Sequence, residues 1–257
     1  MKTTKSILFT FLITVVFAFS GLQSQEKITI VAAANLKPAM DSIITIYKAQ
    51  NSNSEIQVIY GASGKLYEQI SNGAPFDIFF SADMEYPNKL KKNKLTASDV
   101  KLYAIGQLVL WSKRMNPNDK QINALLETSI KRISIANPKT APYGEKAIES
   151  MKYYKIYDKI KNKLVYGENI TQAMQFVTLG AADIGINALS MVLSPIVKKT
   201  KGKYWIIPKE SYKPLEQGCV ILKQAKENAM ATKFYNFISS EKVVDILTYF
   251  GYNQKDK

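Results

Sequence analysis

The stretch VIYGASGKLY, residues 58–67, sets a short β-branched run against a glycine, a Ser-Gly pair and a helix-like segment. It reads as strand, tight turn and helix start. A helix start leaves its first N–H groups without intrahelical partners and carries about half a positive charge. A glycine-lined turn at that point is a seat for an anion, and Ser63 adds a hydroxyl donor. The arrangement recurs at residues 33–36, 141–144 and 168–171. Strands that feed helices in alternation predict a parallel α/β sheet, which binds ligands at the carboxyl ends of its strands.

Upstream, an alternating strand from Lys27 passes through Ala32, Ala33 and Ala34 into a helix with Leu36, Met40, Ile43, Ile44 and Tyr47 on one face. Asn35 falls at its N-cap position and Pro38 in its first turn, where a missing N–H costs nothing. The triple alanine by itself reads as close strand–helix packing. Downstream, strand 55–60 leads into the Ser63-Gly64 turn. Asn72-Gly73-Ala74-Pro75 then breaks the chain before a strand at 76–80 and Ser81-Ala82-Asp83.

After a charged stretch at 89–101, an apolar strand at 107–112 marks the crossing into a second lobe. There the pattern gives a strand at 133–136, a loop at 137–143 and a helix at 144–154. A strand at 164–166, a helix at 170–179, a short strand around 184–186 and a helix start at 188–192 follow. A strand at 220–222 and amphipathic helices at 229–239 and 241–250 bring the chain back to the first lobe. The predicted organisation is residues 25–106 with 215–257 as one lobe and 107–214 as the other. Crossings near 103–107 and 214–218 form a hinge.

Lys2 and Lys5 precede an apolar run at 7–19 and then small and polar residues, the pattern of a secretory signal peptide. The run falls short of the roughly 20 residues that span a membrane, so cleavage near residue 24 and a soluble protein outside the cytoplasm are expected. Cys219 is the sole cysteine, which excludes an intrachain disulfide and leaves no cysteine for acylation after the signal. Removing Lys2 and Lys5 takes the formal charge from +14 to +12. The lysines are scattered, with no long basic run and no nucleic-acid motif, so they read as a solvated surface that can steer a small anion.

The chain has no histidine. That removes His-based triads, imidazole bases and His metal sites, and with one cysteine leaves little for zinc. The composition is that of a binder without a cofactor rather than an enzyme. A P-loop needs four residues between its glycines and Ser or Thr after the lysine, whereas Gly61-Ala62-Ser63-Gly64-Lys65 has two, followed by Leu66. The G-x-S-x-G elbow and the S-x-x-K spacing are also missing, so Ser63 reads as a donor and not a nucleophile. Asp77 and Asp83 read as structural carboxylates at the lobe edge. Tyr143, in a Pro-Tyr-Gly setting at a helix start, stands out from the chain's 15 tyrosines.

In order along the chain, Ala32-Ala33-Ala34-Asn35-Leu36, Tyr60-Gly61-Ala62-Ser63-Gly64-Lys65-Leu66, Gly73-Ala74-Pro75-Phe76-Asp77 with Ser81-Ala82-Asp83, Pro142-Tyr143-Gly144 and Gly167-Glu168-Asn169-Ile170 resemble the periplasmic molybdate-binding proteins of ABC transporters. The resemblance spans nearly the whole mature chain. It implies a type II periplasmic-binding fold of two α/β lobes that close over a tetrahedral oxyanion, molybdate or tungstate, for delivery to a membrane permease by a monomer. By position, the family's ligand contacts fall on Ala34, Asn35, Ser63, Tyr143 and Ile170, through side-chain donors or backbone N–H groups. Many relatives carry Ser where this chain has Asn35 and Tyr where it has Ala188. One branch uses Asn at the first position and Tyr in the Pro-Tyr-Gly loop, and the chain resembles that branch. Another oxyanion such as sulfate or thiosulfate would use the same loops. An exported enzyme or a nucleic-acid binder is the alternative of a different class.

Overall fold

The computed structural model describes residues 26–254, so the predicted signal peptide lies outside the described residues. The strands are β1 (Glu26–Ala33), β2 (Ser54–Gly61), β3 (Ile78–Phe80), β4 (Lys101–Gly106), β5 (Leu108–Ser112), β6 (Ile133–Ala136), β7 (Leu164–Gly167), β8 (Ile184–Ala188), β9 (Lys203–Ile206) and β10 (Leu215–Ile221). The α-helices are α1 (Lys37–Gln50), α2 (Ser63–Ser71), α3 (Glu85–Lys92), α4 (Pro142–Tyr153), α5 (Tyr157–Ile160), α6 (Ile170–Thr178), α7 (Leu189–Val192), α8 (Pro195–Lys198), α9 (Ala229–Phe237) and α10 (Glu241–Tyr249).

The strands form two five-stranded sheets, ordered β2-β1-β3-β10-β4 and β7-β6-β8-β5-β9. Within each, the first three strands run parallel and the crossing strands join them antiparallel. This is the two-lobed α/β architecture of type II periplasmic-binding proteins.

The period-2 pattern of β1 explains the layering of the first lobe. Ile28, Ile30 and Ala32 pack against Met40, Ile43 and Tyr47 of α1 and against Phe234, Val243 and Leu247 from the last two helices. Val31 faces the other way, onto Leu66 and Ile70 of α2 and Leu90 of α3. Phe79 and Phe80 point to opposite layers and are both fully buried, each contributing roughly 1.5–3 kcal/mol of transfer free energy. The second lobe has its own core around Trp111, Ile133, Ile135, Met151 and Ile184.

Two neighbouring crossings join the sheets. β4 ends at Gly106, and after Gln107 the chain enters β5. The return enters β10 at Leu215, which pairs with Gly106. The β4 strand was not expected, because the preceding lysines masked the alternation of KLYAIG. β10 begins five residues before the predicted strand at 220, and β3 two residues after the predicted 76. α4 starts at Pro142 rather than Gly144, which puts Tyr143 inside the first helical turn.

A cleft of helix starts

Four strands end at the interlobe cleft: β1 at Ala33, β2 at Gly61, β6 at Ala136 and β7 at Gly167. Each leads into a helix start. The cleft is narrow, with about 10 Å³ of free volume, and is walled by residues 33–35, 61–63 and 82 on one side and 141–143, 169 and 170 on the other. No charged side chain lines it. All five residues picked from the sequence, Ala34, Asn35, Ser63, Tyr143 and Ile170, lie on these walls and are at most 4% exposed.

Three of these helix starts lack a side-chain cap. Ala33, Ala62 and Ala141 occupy the N-cap positions of the Ala34–Leu36 turn, α2 and α4, and none supplies a side-chain hydrogen bond. Alanine is among the poorest N-cap residues, costing about 0.5–2 kcal/mol relative to Ser, Thr, Asp or Asn. Away from the cleft capping is mixed: Asn228 accepts from the N–H groups of Met230 and Ala231 and Ser194 from that of Val197, whereas Met84, Ile156, Ala188 and Ser240 supply no side-chain cap to α3, α5, α7 and α10. At the fourth cleft helix, Asn169 accepts from Thr171 and Gln172 N–H, which leaves that of Ile170. The N–H groups of Asn35, Ser63, Tyr143 and Ile170 therefore sit in first turns without intrahelical acceptors, around an uncharged hollow.

Ser63 accepts a hydrogen bond from Ala82 N–H at 3.0 Å, so its own hydroxyl hydrogen remains to donate. Gly64 donates to Thr140 O across the cleft at 2.9 Å. A Cβ at Gly64 would come within 2.6 Å of the Tyr86 hydroxyl and 3.0 Å of Thr140 O, so the glycine permits the close approach of the lobes. Further contacts close the cleft: the Ser190 hydroxyl donates to Asn35 O at 2.8 Å, and Gln107 Nε2 to Gly251 O at 2.7 Å.

Asn35 corrects the N-cap reading. Its side chain caps nothing; Nδ2 donates to Gln217 Oε1 at 3.0 Å and to the Tyr252 hydroxyl at 2.9 Å. Both amide hydrogens are thus committed within the protein, and the backbone N–H is the donor left for a ligand. The Tyr143 hydroxyl accepts from Gln217 Nε2 at 3.1 Å, so its own hydrogen, like that of Ser63, remains to donate.

Gln217, Tyr103, Tyr252 and Ser190 were missed from the sequence, since they come from separate segments and share no motif. Ala188 is fully buried at the end of β8 and is not among the residues lining the cleft.

The neighbouring carboxylates are structural. Asp77 accepts from Thr29 N–H at 2.6 Å, tying β3 to β1. Asp83 accepts from Tyr86 N–H and the Ser81 hydroxyl, both at 3.0 Å. Burial pushes Asp83 up to about 6; nearby Glu85 and Glu145 add to this, while its two hydrogen bonds oppose it. Lys37 and Lys65 extend to solvent and pair with Asp41 and Glu68, each at 2.9 Å. Cys219 is buried and unbridged, and its thiol is pushed up to about 12 by burial. Among the described residues no cluster of acidic, Cys or His side chains could hold a metal ion, and no helix is long and apolar enough to cross a membrane.

The model of the bacterial extracellular solute-binding protein family matches residues 28–253. The molybdate-binding protein ModA of Azotobacter vinelandii is 36% identical over 227 residues, 88% of this chain and 89% of that protein. ModA of Rhodobacter capsulatus is 36% identical over 229 residues, 88% of each. The solved structure of the Azotobacter vinelandii periplasmic molybdate-binding protein superposes with a TM-score of 0.84 at 31% identity, covering 89% of this chain and all of that one.

Proposed function

The chain belongs to the bacterial extracellular solute-binding proteins, and on that premise we propose that it captures molybdate or tungstate between its lobes and delivers it to an ABC permease. The observation that carries this reading is the convergence of four helix starts on an uncharged cleft, three of them with alanine in place of a cap. A tetrahedral oxyanion is the acceptor such a site lacks. The N–H groups of Asn35, Ser63, Tyr143 and Ile170, with the Ser63 hydroxyl, surround it, and Ala34 forms part of the wall.

Charge-assisted hydrogen bonds contribute about 1.5–3 kcal/mol each and a helix end about 0.3–1, up to 2 when partly buried. Five such bonds and four helix ends amount to about 9–23 kcal/mol, a range whose upper part covers the roughly 8–12 kcal/mol of micromolar to nanomolar binding together with ordering and desolvation costs. The anion is cargo, and no step of catalysis is required. The lobes are residues 25–106 with 215–257, and 107–214, and they open by bending at the paired crossings. The protein works as a periplasmic monomer after removal of residues 1–24, with no nucleic-acid partner.

Native mass spectrometry and calorimetry test the reading directly. One molybdate or tungstate per chain, bound at micromolar Kd or tighter and at least tenfold tighter than sulfate or thiosulfate, is expected. Tighter sulfate binding would reassign the cargo, and no binding of any of these anions would overturn the reading.

A further inference from the structure

Gln217 is fully buried in the returning crossing strand and makes polar contacts to both lobes. Its Oε1 accepts from Asn35 Nδ2 at 3.0 Å and from the Tyr103 hydroxyl at 2.8 Å, which fills both lone pairs. Its Nε2 donates to the Tyr143 hydroxyl at 3.1 Å. Asn35 belongs to the first lobe's oxyanion loop, Tyr103 to the outgoing crossing strand, and Tyr143 to the second lobe's helix start. One amide therefore touches both walls of the cleft and both strands of the hinge.

Two features of the backbone make room for it. The pairing of β10 with β4 shifts register between Gln217 and Gly218, an irregularity of the kind that re-aims a side chain beside a functional site. Gly106 faces the same point, and a Cβ there would run into the Tyr143 hydroxyl and Gln217 Nε2. Burial, and after it the neighbouring Tyr252, hold the hydroxyls of Tyr103 and Tyr143 well above the usual tyrosine range. The network thus stays neutral wherever the protein works.

We propose that Gln217 is a positioning residue that latches the closed lobes, joining the anion loop of the first lobe to the first turn of α4 through Tyr143. Asn35 and Tyr103 lie in the first lobe with β10 and stay with Gln217 when the cleft opens. Tyr143 belongs to the second lobe and must leave. The Nε2–hydroxyl bond is then made on closure and broken on release, so it governs how long the anion is held. This rests on the proposed function and adds to it a residue that touches no ligand.

The test compares wild type with Gln217→Leu, Tyr143→Phe and the double variant by stopped-flow binding of molybdate. Tyr143→Phe keeps the backbone N–H at the cleft. Of the bonds to Gln217, Tyr143→Phe removes the latch bond alone and is expected to raise koff by about 5- to 100-fold with kon changed less than threefold; Gln217→Leu, which also leaves the Asn35 amide and the Tyr103 hydroxyl without their acceptor, should raise koff at least as much. The double variant should be no worse than the weaker single one. Gly106→Ala should give the same fast release, with less compaction on adding molybdate in small-angle scattering. A purely structural glutamine would lower the unfolding midpoint and leave koff unchanged. Unchanged koff in Tyr143→Phe, or additive effects in the double variant, would overturn the latch while wild type still binds. If Gln217→Leu does not fold, Tyr143→Phe and Gly106→Ala decide. Failure of wild type to bind molybdate and tungstate would instead refute the proposed function.

Discussion

Asn35 and Tyr252, at opposite ends of the chain, hold each other by two hydrogen bonds: the Asn35 amide donates to the Tyr252 hydroxyl at 2.9 Å, and that hydroxyl donates to the Asn35 carbonyl at 3.0 Å. The side chain that looks like a ligand donor in the sequence is a brace that fixes the turn. Tyr252→Phe should therefore weaken molybdate binding by about 3- to 30-fold although Tyr252 is not among the residues lining the cleft. Asn35→Ala should cost at least as much, since it also leaves Gln217 with an empty acceptor. Calorimetry on both checks this; unchanged affinity in Tyr252→Phe would return the Asn35 amide to the ligand.

Ser63 separates oriented donors from bulk charge. Ser63→Ala removes a buried hydroxyl and orphans the Ala82 N–H, and should cost about 1.5–3 kcal/mol, or roughly 10- to 150-fold in Kd. Lys37→Ala and Lys65→Ala remove exposed, already paired charges, so Kd should change less than about threefold at 0.15 M salt. Abolished binding in Lys65→Ala beside a tolerated Ser63→Ala would make the lysine the ligand.

Supplying the missing cap should block the site. Ala141→Asp places a carboxylate where the α4 start is unoccupied. It should raise the stability of the ligand-free protein by about 0.5–2 kcal/mol, while weakening molybdate binding by more than about 100-fold. Thermal unfolding and calorimetry read the two effects, whose opposite signs are the prediction.

Asp83 supplies the pH dependence. Its carboxyl, raised from the ordinary 3.8 to about 6, stays protonated in the folded protein at pH values where the unfolded chain has lost that proton. The stabilisation is full below about 3.8 and is lost as pH rises through 6. Because Ala82 N–H bonds to Ser63, a negative Asp83 also stands one residue behind the anion wall. Molybdate should bind up to tenfold tighter at pH 6 than at pH 8 and change little from 7.5 to 9, where no histidine titrates. In Asp83→Asn both stability and affinity should be flat from pH 6 to 8.

Much of the fold was legible because it rests on local chemistry. The glycine and alanine turns at 33–36, 61–64 and 141–144, and the β-branched runs before them, state strand, turn and helix within ten residues. β4 and β9 were not legible, the one hidden behind lysines and the other a partly exposed strand at the edge of its sheet. The site divides in the same way. The placement of Ser63 and Ile170 in first helical turns on the cleft was readable, since a first-turn N–H needs only its own helix. The roles of the Asn35 and Tyr143 side chains were not, because they are set by Gln217, more than 70 residues from either. The triple alanine at 32–34 reads as packing in sequence, and nothing in the sequence marks Ala33, Ala62 and Ala141 as uncapped helix starts. Only the structure places them where three caps are withheld around one space.

The position of β10 between β3 and β4 also sets an order in time. The strands of the second sheet lie within residues 108–206, so that lobe can close on itself as soon as its own stretch is free. The first sheet cannot. Until residues 215–221 arrive, β3 and β4 have no partner strand between them, and their sequence distance from β10 makes the pairing slow. A chain emerging amino end first thus keeps half of its anion site unmade until the last fifth of its length is available.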